Sequence, residues 1–178
     1  MKWRSTTIVA VRRDGRIALA GDGQVTLGQI AMKHRTRKVL RIADGSVLAG
    51  FAGGAADGLT LLDRVESHIR ESRGDLERAV MGFAKEWRTD RMLRRLEAML
   101  ILADTHHLFV LGGGGDVVRP DGDSVAIGSG GSLAQAAAVA MLRHTPLDPT
   151  FIAREAVAIA AEQCVYTNQE ITVEALPD

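Results

Sequence analysis

Thr6-Thr7-Ile8-Val9-Ala10-Val11, then Asp14-Gly15, then Arg16-Ile17-Ala18-Leu19-Ala20 form the stretch on which the fold class turns. The first run is rich in β-branched residues, Asp-Gly is a two-residue hairpin signal, and the third run resumes the strand. A hairpin at the start of the chain means antiparallel pairing. Gly21-Asp22-Gly23 interrupts it, and a basic stretch from Lys33 to Arg41 follows. Val47-Leu48-Ala49-Gly50-Phe51-Ala52-Gly53-Gly54 is a further apolar strand ending in a glycine cluster.

Helical periodicity then takes over. Leu59, Leu62, Val65 and Ile69 recur at helical spacing across 55–72, and Leu76, Val80, Phe83, Ala84 and Trp87 repeat it across 75–94 after a Gly74-Asp75 break. Strands are expected at Ala98–Ala103, Leu108–Leu111 and Ser124–Ile127, helices at Ser132–Arg143 and Pro149–Gln163, and a last strand at Glu170–Ala175. The order is strands, two helices, strands, two helices, strand. Segregated runs of this kind indicate an α+β fold with helices packed outside antiparallel sheets, and exclude a βαβ dinucleotide-binding domain.

With 178 residues the chain suits one domain. Its 22 basic and 22 acidic residues cancel, so no electrostatic footprint for nucleic acid or an anionic membrane is present, and association with copies of itself meets no large opposing field. Cys164 is the only cysteine, which precludes an internal disulfide and fits a reducing compartment. No apolar run approaches the length of a membrane span, and Met1-Lys2-Trp3-Arg4-Ser5 is too short and polar for a signal peptide. A cytoplasmic location is expected.

Several stretches together resemble the HslV (ClpQ) family of threonine peptidases. They are Thr6-Thr7-Ile8-Val9, Gly21-Asp22-Gly23-Gln24, Met32-Lys33, Arg37-Lys38-Val39, Leu48 to Gly54, Trp87-Arg88-Thr89-Asp90, Arg94 to Leu100, Ala126 to Gly131 and Cys164 to Asn168. The resemblance runs from Thr6 nearly to the end of the chain, in order. It implies the N-terminal-nucleophile hydrolase fold, a four-layer αββα sandwich, with residues 1–5 as a propeptide and 6–178 as the peptidase domain. It also implies a homo-oligomer, a dodecamer of two stacked hexameric rings, served by an HslU-type hexameric AAA+ ATPase that unfolds protein substrates and feeds them in.

The same resemblance assigns the site. Thr6 is the nucleophile; a threonine at a chain terminus carries its own base, an α-amine with a reference pKa of roughly 7.7–8. Alone, Thr6-Thr7 reads as two strand residues. Lys38 is placed beside the nucleophile, where its charge favours deprotonation of nearby groups, with Asp22 holding the lysine. Outside the family context Asp22 is a turn residue, Lys38 is one cation of a basic run, and Lys33 competes for the role.

Ser129, in Gly-Ser-Gly-Gly, has the small neighbours a nucleophile elbow needs, yet the histidines at 34, 68, 106, 107 and 144 lie in no triad-like context. By resemblance Ser129 instead hydrogen-bonds the terminal amine, and Gly50 offers its N–H to the developing oxyanion. The main-chain carbonyls of Ala161, Cys164 and Thr167 match those that bind a sodium ion in the family.

Two departures from the family pattern touch the pocket walls: Ser132-Leu133 where Pro-Tyr is commoner, and Ala55 where threonine is. Residues 1–5 ahead of Thr6 are a third. Methionine removal alone would leave Thr6 blocked, so a cut between Ser5 and Thr6 is expected, with Ser5 after a cut behind Arg4 as the rival nucleophile. A non-proteolytic homologue and an amidase acting on small amides are the rival functions.

Overall fold

A computed structural model describes residues 3–4, by backbone alone, and residues 6–177. Its first strands are β1 (Trp3–Arg4), β2 (Thr7–Arg13) and β3 (Arg16–Asp22). The β2–β3 hairpin closes at Arg13 opposite Arg16, with Asp14 and Gly15 both at positive φ, 52° and 76°. That is the backbone which Asp-Gly favours, because its twist matches that of the paired strands.

Beyond the hairpin come β4 (Val25–Leu27), β5 (Ile30–Lys33), β6 (Val39–Ile42) and β7 (Val47–Gly53), then helices α1 (Ala55–Glu71) and α2 (Leu76–Thr89). Next are β8 (Ala98–Ala103), β9 (Leu108–Gly112), β10 (Asp116–Val118) and β11 (Ser124–Gly128). Helices α3 (Gly131–His144) and α4 (Pro149–Gln163) and strand β12 (Ile171–Leu176) complete the chain. One sheet has the order β11-β2-β3-β12 and a second β10-β9-β8-β7-β6, while β1, β4 and β5 form a small third sheet.

Strand parity builds the layers. Along β2 and β3, Ile8, Ala10, Ile17 and Leu19 face the second sheet, where they meet Leu48, Ile101, Ala103 and Val110. The alternate residues Val9, Val11, Ala18 and Ala20 face α3 and α4. Both faces are therefore buried, which explains why these strands read as nearly continuous apolar runs. On the second sheet, Val47, Ala49, Phe51, Leu100 and Leu102 face α1 and α2, packing on Leu61, Val65, Ile69, Val80, Phe83 and Trp87. The result is four layers, helix–sheet–sheet–helix. Alanines at 134, 138, 153, 156 and 160 let α3 and α4 lie close to their sheet.

The helix expected to run to residue 94 ends at Thr89. The Asp90 carboxylate accepts the N–H groups of Met92 (2.7 Å) and Leu93 (3.0 Å), a local bond that competes with helix continuation and starts a 3-10 turn over Leu93–Arg95. The Trp87 indole then donates to the Leu93 carbonyl at 3.0 Å, fixing the turn to the core. Strands β4, β5, β6 and β10 are only three or four residues long and carry too few residues for a period to show. Part of the basic stretch is strand: Lys33 ends β5, and Val39–Ile42 is β6.

Candidate active site

Thr6 lies just before β2, and the hairpin carries Asp22 at the far end of β3 to meet it: Ile8 pairs with Gly21. Gly21 has no room for a side chain, since a Cβ there would sit 2.4 Å from Ile8. The Asp22 carboxylate is buried and fully engaged. Its Oδ1 accepts the Thr7 N–H at 2.8 Å and lies 3.5 Å from Lys38 Nζ. Its Oδ2 accepts the N–H groups of Gln24 at 2.9 Å and Asn168 at 3.4 Å.

Lys38 enters from the segment before β6 and is 3% exposed. Besides Asp22, its ammonium donates to the Gln24 carbonyl. Burial lowers its pKa from the ordinary 10.5 to about 8, against the opposing pull of the Asp22 charge. Lys33, by contrast, is exposed on β5.

A cavity of about 460 Å³ opens in front of these groups, lined by Thr6, Thr26, Thr36, Lys38, Phe51 and the Gly53–Asp57 segment. The Thr6 hydroxyl is buried and has no hydrogen-bond partner among the described residues. A buried hydroxyl left unpaired costs roughly 1–3 kcal/mol, and here it stands at the cavity that holds Lys38. The Thr6 carbonyl is held by Ser129, whose N–H donates at 2.9 Å and whose hydroxyl donates at 3.4 Å. Thus Thr6, Asp22, Lys38 and Ser129 come together at one place.

Gly50 does not come to the cavity. It sits inside β7 between Val39 of β6 and Ile101 of β8, and a Cβ there would point at Ile8 and Leu19 between the sheets. Phe51 and Gly53 share the opposite face, by the two-residue period of a strand, and both line the cavity. That parity was available in the sequence.

Other polar groups around Thr6 gave no signal in the sequence. The Thr7 hydroxyl lies 2.7 Å from that of Thr167 and accepts the Gly130 N–H at 3.0 Å. Gln24 donates its amide to Thr26 Oγ1 (3.0 Å) and the Val165 carbonyl (2.9 Å).

Ala161, Cys164 and Thr167 follow one another around the C-terminal end of α4. Ala161 lies in the last turn, whose carbonyls have no partner further along the helix, and the Cys164 carbonyl accepts the Thr167 N–H at 3.0 Å, keeping a second lone pair. Main-chain oxygens at the negative end of a helix suit a hard cation, so the residues fit the family's sodium site. Among the described residues no group of three or more His, Cys, Asp and Glu is placed to hold a metal, and no helix is long and apolar enough to cross a membrane.

Gly128 supplies a sharp test of this geometry. It has φ 94°, and a Cβ would fall 1.9 Å from the Thr6 carbonyl oxygen. Because that obstacle is backbone, Gly128→Ala must displace residue 6. Peptidase activity is expected to fall at least about 100-fold, the scale attached to a misplacement of about 1 Å. A rate assay beside a thermal melt checks it; wild-type activity with an alanine at 128 would contradict the arrangement.

Two sheets packed face to face between helix pairs, with Thr6 ahead of a central strand and the buried Lys38 lining the same cavity, match the layered sandwich of the N-terminal-nucleophile hydrolase class. The proteasome subunit family matches residues 3–176. The chain is 56% identical over 177 residues to the ATP-dependent protease subunit HslV of Desulfovibrio desulfuricans, covering 99% of this chain and all of that one. It is 51% identical to that of Pseudothermotoga lettingae, covering 98% and 99%. Among solved structures, the crystal structure of eukaryotic HslV from Trypanosoma brucei superposes with a TM-score of 0.89 at 44% identity, covering 95% of this chain and 98% of that one. The chain belongs to the proteasome family of proteases and, within it, to the HslV group.

Proposed function

We propose that the chain is the proteolytic subunit of a two-component ATP-dependent protease, with Thr6 as the N-terminal nucleophile once the residues before it are removed. The buried Thr6 hydroxyl, which has no hydrogen-bond partner among the described residues and lines the same cavity as Lys38, carries this reading. Thr6 Oγ attacks the scissile carbonyl, the freed α-amine takes the hydroxyl proton and passes it to the leaving amine, and water resolves the ester. Lys38, held by Asp22 and the Gln24 carbonyl, supplies positive charge beside the nucleophile.

Backbone N–H groups near Gly53, which lines the cavity, are better placed than Gly50 to meet the developing oxyanion. Ser129 anchors residue 6 through its carbonyl. Ser5, the rival nucleophile, lies outside the described residues, as do Met1 and Lys2 of the proposed propeptide. Its Trp3–Arg4 part is strand β1, paired with Thr26 and Leu27 at the edge of the cavity region.

Sodium would be held by the carbonyls of Ala161, Cys164 and Thr167, and would fix the loop after α4. Thr167 on that loop touches Thr7, the residue next to the nucleophile. The assembly proposed is two stacked hexameric rings enclosing the sites, in the cytoplasm, capped by an HslU-type AAA+ ATPase. Enclosure restricts an unselective protease to substrates that are threaded in. The subunit alone should cleave small peptides weakly, and addition of the ATPase with ATP should raise that rate and bring loss of a folded protein substrate, by shifting the site toward its competent state. Full peptidase activity in the subunit alone, unchanged by ATPase and ATP, would count against the coupling and for the small-amide amidase.

A further inference from the structure

We propose that Gln24 is a positioning residue for this reaction: its main-chain carbonyl seats the Lys38 ammonium, and its side-chain amide holds that carbonyl in place. The inference rests on the Thr6 reading above. Among the described residues Lys38 has two oxygen partners, the Asp22 carboxylate at 3.5 Å and the nearer Gln24 carbonyl. A backbone carbonyl cannot be tuned by substitution; its position is set by what holds its residue.

Among the described residues, at least three bonds hold residue 24. Its N–H donates to Asp22 Oδ2 at 2.9 Å. Its amide NH₂ donates to Thr26 Oγ1 at 3.0 Å, on the next strand, and to the Val165 carbonyl at 2.9 Å, beyond the end of α4. The side chain is 7% exposed, so these donors have little water to turn to. Val165 is 80% exposed, which makes Gln24 a link of one side chain from the surface of the loop after α4 to the buried lysine.

Among the described residues, Asp22 on β3 is in contact with Lys38, and Asp57 in the first turn of α1 lies on the same cavity wall. Thr6 faces the same cavity and, in matured enzyme, brings its free α-amine to it; the side chains of Val25, Thr26, Thr36 and Phe51 are neutral. Loss of the seated carbonyl removes a partner of the protonated lysine and so lowers its pKa.

Gln24→Met keeps length and volume but removes both donors; Gln24→Asn keeps the amide one methylene short of its two acceptors. Measured on matured enzyme with a fluorogenic peptide from pH 6 to 10, wild type should lose activity through an alkaline limb near pH 8. In Gln24→Met that limb should move down by about one pH unit, as expected for loss of a hydrogen bond to a charged group. At pH 8 kcat should fall about fivefold with KM little changed, and Gln24→Asn should lie between. A purely structural role would lower stability and the amount of active enzyme without moving the limb, and an unmoved limb in either variant overturns the proposal. Should Gln24→Met fail to fold, Gln24→Asn alone decides. A Thr6→Ala control separates the two claims: activity in that control removes the nucleophile assignment, whereas an inactive control beside an unmoved limb removes only the role of Gln24.

Discussion

Thr6→Ala is expected to abolish peptidase activity, by about 10⁴-fold or more as for other nucleophile deletions, and to leave the chain uncut before residue 6. The substitution removes one buried hydroxyl that makes no hydrogen bond among the described residues, so folding should lose little and gain relief from an unpaired polar group. The melting temperature should hold or rise, and the oligomer should remain. Failure of activity would then belong to chemistry alone.

The uncut chain follows from the same atom. While residue 5 is attached, the nitrogen of Thr6 is an amide and the proposed base does not exist. Attack of Thr6 Oγ on the carbonyl carbon of residue 5 forms an ester, releases the Thr6 amine, and is completed when water cleaves the ester to a carboxylate and the free hydroxyl. Intact mass spectrometry reads the outcome. Active enzyme that begins at Thr6 supports the mechanism, enzyme that begins at Ser5 transfers the role to that serine, and a fully active chain uncut before both ends it.

The second large effect is at Lys38. Lys38→Ala should lower kcat about 10²–10⁴-fold, the range of a single proton-handling group, and in wild type the lysine should shape the pH profile. Activity requires a neutral α-amine, which appears as pH rises toward roughly 8, and a charged Lys38, which is lost as pH passes its lowered value of about 8. A narrow optimum near pH 8 results. Stability moves the other way. Because the folded pKa lies below the ordinary 10.5, the unfolded chain binds this proton more tightly, so the lysine's contribution to stability is least favourable below pH 8 and improves as pH rises toward 10.5. Activity lost at pH 9 is therefore not unfolding, and a melt beside the rate profile distinguishes the two. A rate that climbs steadily to pH 10 would mean that the neutral lysine is the base.

Most of the fold was legible because its long elements carry strong periods. Ala98–Ala103 and Pro149–Gln163 appear at their expected bounds, one marked by continuous apolar residues and the other by the Asp148-Pro149 start signal. The short strands at the cavity edge were not legible, since Val25–Leu27 owes its strand state to partners distant in sequence or supplied by a hairpin with no clear turn signal. Of the site residues, Thr6, Asp22, Lys38 and Ser129 depended on resemblance, and the fold puts them together. Gly50 lies between the sheets while Phe51 and Gly53 line the cavity, a parity that the two-residue period of β7 already carried. The resemblance marks the Thr167 carbonyl, but the Gln24 amide and the Thr7 and Thr167 hydroxyls have no directional signature until their partners, more than 140 residues away for Val165 or Thr167, are in place.

The Asp22 carboxylate gathers N–H groups from residues 7, 24 and 168 and the ammonium of residue 38. On the mechanism proposed above, Thr6 is translated long before Asn168, so the nucleophile would wait for the group that completes the hold on Asp22. Self-cleavage ahead of Thr6 would then report on docking of the loop after α4: a chain misfolded there would keep residue 6 blocked and stay inert.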